Sequence, residues 1–269
     1  MGENALSLAQ GLQQELGIRK GDKVAFLMPN RPEYVFCEYA VAKTGAIRVP
    51  LAVLLGNADH IYMMNHAECT TLVYHEKMTS RVAEMIPSLE TVRQFVCICD
   101  DSSSVPEGHH HLQSLIQNHA PNPEPVDLDP EDLVGIYFTG GTTGKPKGVM
   151  LSHRAWVYTV LMEMLEFGFG WEEVFAYLTP LTHAGGCLLL PVLLRKGRAV
   201  IFDHFEPSGF LEKVQAEGIT STFMVPTMIY ALLDSPDLQK HSLDSLQNII
   251  YGAAPIAPER LNQAVNRFG

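Results

Sequence analysis

From Lys23 onward, short apolar runs alternate with stretches of helical periodicity. Val24-Ala25-Phe26-Leu27-Met28 reads as a buried strand, closed by the turn formers Pro29-Asn30. Residues 31–43 carry Tyr34, Val35, Tyr39 and Ala42 at helical spacing, with Gly45 just beyond, which predicts a helix and its stop. The same reading predicts helices over 57–67 and 76–86 and strands over 71–74 and 95–99. Residues 101–132 are rich in Ser, Pro, His and Asp, with one short helical patch at 112–117, and are expected to form a connector between lobes.

The second half has a cleaner rhythm. Strands are predicted over 136–138, 149–151, 174–178, 199–202, 222–225 and 249–251. Helices are predicted over 154–167, 187–194, 208–217, 228–233 and 258–268. The first of these puts Val157, Val160, Leu161, Met164 and Leu165 on one face, and Ser152 is its candidate cap. Such alternation implies an α/β fold of layered, mostly parallel sheets with flanking helices, and ligands at the carboxyl ends of the strands. The expected organisation is a first lobe over 1–100, a connector over 101–132 and a second lobe over 133–269. The last helix, with Leu261, Val265 and Phe268 on one side, needs more chain to pack against, so these residues are expected to be part of a larger domain.

Composition narrows the function. Hydrophobic residues make up 46% of the chain and charged residues 18%, a globular balance. With a net charge of −11 and no basic stripe, no nucleic-acid partner is expected. The five cysteines, Cys37, Cys69, Cys97, Cys99 and Cys187, are odd in number and widely spaced, which fits free thiols in a reducing compartment and a cytoplasmic protein. Cys97 and Cys99 lie in an apolar run and read as strand residues, not as a metal clip. His109-His110-His111 reads as a polar surface loop. No apolar run reaches the ~18 residues of a membrane span.

The chemistry concentrates at Phe138-Thr139-Gly140-Gly141-Thr142-Thr143-Gly144-Lys145-Pro146-Lys147-Gly148, between two predicted strands. Nine of these eleven residues are Gly, Thr or Lys. Glycines let backbone N–H groups turn inward and form a concave anion site. Threonine hydroxyls add donors and can ligate magnesium, for which Thr143 is the candidate, and lysines supply charge against phosphate. Charge-assisted hydrogen bonds of about 1.5–3 kcal/mol each make such a loop a candidate triphosphate cradle. The spacing excludes a Walker A loop, because only three residues separate Gly140 from Gly144-Lys145 and Pro146 follows.

This segment resembles the signature loop of the adenylate-forming superfamily of acyl-CoA synthetases, luciferases and peptide-synthetase adenylation domains. Residues Gly21 to Phe26 and Lys43 to Leu51 are similar to that family's early segments. Pro180-Leu181-Thr182-His183-Ala184-Gly185-Gly186 is similar to its substrate gate, and Tyr251-Gly252-Ala253-Ala254-Pro255 to its adenine and acyl-site strand end. The loop departs from the family at Gly140, where many members carry Ser. The resemblance implies a large N-terminal AMP-binding domain, here partial, without the family's later Glu, Asp and Lys motifs or its C-terminal domain, and so inactive alone. It implies ATP, Mg2+ and coenzyme A as cofactors and a carboxylic acid as substrate. The nucleotide-binding residues would be Thr139, Gly140, Gly141, Thr142, Thr143, Gly144, Lys145, Lys147, Gly252, Ala253, Ala254 and Pro255. Lys147 and His183 would be catalytic, His183 at the carboxylate and the thiol tunnel. Met224, Val225, Pro226 and Met228 are candidates for an acyl pocket or for plain core.

The implied activity is carboxylate–CoA ligation through an acyl-adenylate, with a fatty or aromatic acid favoured because no Asp for a substrate amine occurs in residues 184–194. An amino-acid adenylation domain, a luciferase-like oxygenase and a non-catalytic nucleotide-binding module remain alternatives.

Overall fold

The computed structural model describes residues 2–140 and 144–268, and these form two compact units, Met1–Tyr158 and Thr159–Gly269. The first unit runs α1 (Gly2–Gln14), β1 (Lys23–Leu27), α2 (Pro32–Lys43), β2 (Ile47–Pro50), α3 (Asn57–His66), β3 (Thr71–His75), α4 (Thr79–Met85), β4 (Gln94–Ile98), β5 (His110–His111), α5 (Leu112–Gln117), β6 (Leu133–Thr139) and β7 (Lys147–Ser152), and α6 (His153–Glu166) crosses its boundary. Its seven strands lie in the order β5-β4-β3-β1-β2-β6-β7. Every pair is parallel except the β6–β7 hairpin. The central strands β1, β2 and β3 are almost wholly buried and mostly apolar, as parallel strands covered on both faces are. Ala25, Leu27, Val49, Leu72, Tyr74 and Cys97 anchor the core.

The expected second lobe began at residue 133, but β6 and β7 belong to the first sheet, and the units part only after Tyr158. The reason is pairing: β2 accepts β6 as its parallel neighbour, with Arg48 opposite Gly135. Residues 101–132 are also more than a junction. They contribute the edge strand β5 and α5, then run back along the unit. There Glu124 exchanges two hydrogen bonds with the Gln13 amide, at 2.8 and 3.1 Å, and Lys20 donates to the Asp127 carbonyl at 3.0 Å.

The histidine triplet is therefore not a surface loop. His110 and His111 are strand residues, and His109 stacks on Phe95 at 4.8 Å and bonds the Tyr74 hydroxyl at 2.6 Å. Cys97 and Cys99 are buried as expected, and the five cysteines are free thiols. In α6 the Ala155 N–H donates to Ser152 Oγ at 3.2 Å, as a cap does. The expected inward stripe differs: Trp156 and Val160 are the buried positions, while Val157, Leu161 and Leu165 are exposed.

The second unit contains β8 (Val174–Tyr177), α7 (Ala184–Cys187), α8 (Leu189–Leu194), β9 (Arg198–Ile201), α9 (Pro207–Glu217), β10 (Ser221–Met224), α10 (Pro226–Leu233), β11 (Asn248–Tyr251) and α11 (Pro258–Phe268). Its sheet is wholly parallel, in the order β11-β10-β8-β9. Local signals agree with these limits. α9 begins at Pro207 with Glu206 accepting from the Ser208 and Gly209 N–H groups, and it stops at Gly218 in the left-handed conformation. Its core gathers Phe210, Leu211, Val214, Met224, Ile229 and Leu232. Met224 belongs to that core and Met228 packs against it, so the core reading of these two residues holds.

Candidate functional site

The β6–β7 hairpin carries the Gly/Thr/Lys segment. Phe138 pairs with Gly148 and Thr139 with Lys147, so the segment is the end of two strands plus their turn, at the carboxyl end of β6. Thr139, Gly140, Gly144, Lys145 and Lys147 are exposed there. Gly144 has φ +134°, a conformation L side chains resist. Gly148 is held to glycine differently: a Cβ would stand 2.8 Å from Ile136 Cγ2.

α3 lies behind the hairpin. Lys145 Nζ sits 5.0 Å from the Tyr62 ring centre, Tyr62 stacks on His66 at 5.3 Å, and His66 meets Phe138 edge-on at 6.3 Å. Three expected nucleotide-binding residues, Gly141, Thr142 and Thr143, the last also the expected magnesium ligand, lie outside the described residues. The described part presents two ammonium groups and the Thr139 hydroxyl at the adjoining ends of β6 and β7. That donor set suits a polyanion such as a nucleotide's phosphates.

His183 and the Gly252–Pro255 strand end belong to the second unit. After β8 the chain turns through 178–183 into α7, with the His183 N–H donating to the Pro180 carbonyl at 3.1 Å and the Gly186 N–H to the His183 carbonyl at 3.0 Å. α7 lies so close to this turn that a Cβ on Gly185 would stand 2.8 Å from the Thr179 carbonyl oxygen, and one on Gly186 would collide with the Leu181 carbonyl. The two glycines are thus a packing requirement. They leave His183 exposed at the head of α7.

At the end of β11, the Gly252 N–H donates to the Met224 carbonyl at 3.3 Å and Ala253 turns into the left-handed region with φ +67°. Ala253, Ala254 and Pro255 are exposed. Because β10 lies between β8 and β11 in a parallel sheet, the turns bearing His183 and Gly252–Pro255 leave the same carboxyl edge, on either side of Val225-Pro226. Within this unit the sheet brings those two segments together, where ligands of open parallel sheets bind. Among the described residues no group of three or more His, Cys, Asp or Glu side chains could hold a metal ion. No helix there is long and apolar enough to cross a membrane.

The AMP-binding enzyme family profile matches residues 1–269. The chain belongs to this family. It is 32% identical to the medium/long-chain-fatty-acid–CoA ligase FadD8 of Mycobacterium tuberculosis, over 100% of this chain and 48% of that protein. It is 31% identical to a feruloyl-CoA synthase of an Amycolatopsis species, over 97% and 50% of the two chains. The amide bond synthetase McbA of Marinactinospora thermotolerans superposes with a TM-score of 0.87 at 28% identity, covering 99% of this chain and 52% of that one. The chain thus spans about half the length of the curated relatives it matches. Its α/β fold with mostly parallel sheets is that of this family's N-terminal domains.

Sequence reasoning missed the group beneath the hairpin. Arg48, on β2, is 2% exposed, and its Nε donates to the Tyr137 hydroxyl on β6 at 2.7 Å. Its guanidinium lies 4.2 Å from the Trp156 ring centre and 5.7 Å from that of Tyr137. Glu38, on α2 and 3% exposed, faces it with Oε1 3.4 Å from Nη1. Burial pushes the Glu38 carboxyl above its ordinary range, opposed by Arg48. Arg48 remains a cation: burial works against its charge, but Glu38 and Tyr137 outweigh it and raise its pKa. The available signal was a lone charge in each of two apolar segments, Ile47-Arg48-Val49 and Phe36-Cys37-Glu38-Tyr39-Ala40.

Proposed function

We propose that the protein carrying this chain activates a carboxylic acid with ATP to an acyl-adenylate and then forms the acyl-CoA thioester. The observation that carries this reading is the hairpin tip, where Thr139 and Lys147 face each other across the last rung of an antiparallel pair. Lys147, Lys145 and Thr139 hold the nucleotide's phosphates. The substrate carboxylate attacks the α-phosphorus, the bond to the β-phosphate oxygen breaks, and pyrophosphate leaves. Two anions meet in this step, so the protein's work is charge neutralisation and alignment. His183, on an exposed turn beside the Gly252–Pro255 strand end, stands at the acyl carboxylate; the small residues after β11 give adenine and acyl chain room. Coenzyme A takes the acyl group from AMP, and magnesium accompanies the nucleotide. The relatives' named substrates, fatty and feruloyl acids, favour a fatty or aromatic acid.

The test is ATP–pyrophosphate exchange by the whole protein across fatty, aromatic and amino acids, followed by thioester formation with coenzyme A. Exchange with a fatty or aromatic acid and a thioester product is expected. Exchange with amino acids alone would make the protein an amino-acid adenylating enzyme. Exchange without thioester would point to another acyl acceptor, such as the amine of an amide bond synthetase. ATP binding with no exchange would make it a non-catalytic nucleotide-binding module.

A further inference from the structure

We propose that Arg48 is a positioning residue for the phosphate-binding hairpin, setting where its tip stands by fixing β6 through Tyr137 and the helix after β7 through Trp156. This rests on the reading of the hairpin as a nucleotide site. The geometry makes Arg48 the meeting point of four elements. It sits on β2 opposite Gly135 of β6, it bonds Tyr137 two residues before Thr139, and it stacks on Trp156 four residues after Ser152. Glu38 of α2 holds the other side of the guanidinium. The strand entering the turn and the segment leaving it are thereby tied to one buried plane.

The fit around that plane is tight. A Cβ at Gly135 would stand 2.8 Å from the Tyr137 ring and 3.2 Å from Arg48 Cγ, so any side chain there would displace one of them. Tyr137 and Trp156 are near-parallel, 11° apart, with centres 6.0 Å apart. A buried ion pair is poor stability for its desolvation cost, and apolar replacements of similar volume are often neutral or better. What a planar, five-donor cation adds is fixed direction: one N–H aimed at Tyr137 and a flat face against Trp156. An ammonium in the same place keeps the charge toward Glu38 and loses both.

The experiment compares Arg48→Met, Arg48→Lys and Tyr137→Phe in the whole protein. It reads KM for ATP and for the acid in pyrophosphate exchange, thermal midpoint, and amide hydrogen exchange over residues 133–152. Positioning predicts that all three variants raise KM for ATP, Arg48→Met and Arg48→Lys by about tenfold, with KM for the acid within about twofold, because displaced phosphate donors weaken nucleotide binding alone. Faster exchange in 133–152 should accompany it. If Arg48→Lys restores KM for ATP, or if the variants lower the midpoint while KM and exchange over 133–152 stay at wild-type values, Arg48 is structural and the proposal is overturned. Should Arg48→Met fail to fold, Tyr137→Phe, which removes one hydroxyl, decides alone. A wild-type protein without pyrophosphate exchange overturns the functional reading, whereas the hydrogen-exchange arm still decides whether Arg48 fixes the hairpin.

Discussion

In the proposed function, the hairpin tip of the first unit and the strand-end turns of the second serve one reaction by opposite means. At the tip, the side chains assigned to the phosphates in the proposed function, Thr139, Lys145 and Lys147, are exposed, and the Arg48 proposal ties their placement to a buried polar group one layer below. At the carboxyl ends of β8 and β11, shape comes from side chains that are missing. Gly185 and Gly186 admit α7 against the turn, and Gly252 leads into a left-handed residue. One region should tolerate substitution structurally while losing activity; the other should lose its fold locally at the cost of one methyl group.

The most damaging single change should therefore be Gly186→Ala, which drives a Cβ into the Leu181 carbonyl. Backbone, unlike a flexible side chain, cannot step aside, so a loss of about 3 kcal/mol or more is expected in urea denaturation. A loss below ~1 kcal/mol would mean that α7 can shift freely, and the contrast between the two regions would disappear.

The matching change at the tip is Lys147→Ala. The side chain is exposed and in neither core, so stability should move by less than ~0.5 kcal/mol. Pyrophosphate exchange should fall about 100-fold, the usual cost of one donor to developing phosphate charge. An unstable variant, or one with wild-type exchange, would break the comparison from the other side.

The same contrast explains what could be read from the sequence. Segments with one dominant signal were legible: the apolar β1, β3 and β4, the helix over 208–217 and the glycine-rich segment between β6 and β7. β5 and the role of His109 were not, because polar residues there pair and stack across distant parts of the chain, as His109 does with Phe95 and Tyr74. The same holds for Arg48, whose partners Glu38, Tyr137 and Trp156 lie up to 108 positions away in the chain and meet only after the sheet forms. α6 misled for another reason. Periodicity named the stripe Val157, Val160, Leu161, Met164 and Leu165, but packing buries only Val160 of it, together with Trp156 from outside it.

One buried and one half-buried carboxylate sharpen the contrast further. Among the described residues the Oε2 atoms of Glu38 and of Glu163 on α6 both lack a hydrogen-bond partner, but Glu38 has Arg48 beside Oε1, whereas burial alone acts on Glu163. Burial pushes the Glu163 pKa from 4.5 up to about 7. Since the folded value lies above the unfolded one, the native chain keeps a proton that the unfolded chain has released across that window. Stability should then fall as pH rises from 4.5 to about 7 and level off above it. Glu163→Gln removes that slope. At pH 8 it should gain about 1–2 kcal/mol over wild type, discounted for partial exposure, and at pH 4 nothing. Equal gains at both pH values would show that the effect is packing and not ionisation.

The smallest expected effect falls at Ala253, where the strand end carries a left-handed residue that is not glycine. An L side chain in that region crowds the backbone at a cost of roughly 1–2 kcal/mol, and glycine avoids the clash but loses more entropy on folding. The two terms oppose, so Ala253→Gly should stabilise by only about 0.5–1 kcal/mol. Ala253→Val, which adds β-branching at the same φ, should destabilise by at least as much. If Ala253→Gly also weakens nucleotide affinity, the methyl group contacts the ligand and the strain is kept for binding. If affinity is unchanged, the strand end acts through backbone shape alone, as the glycines beside His183 do.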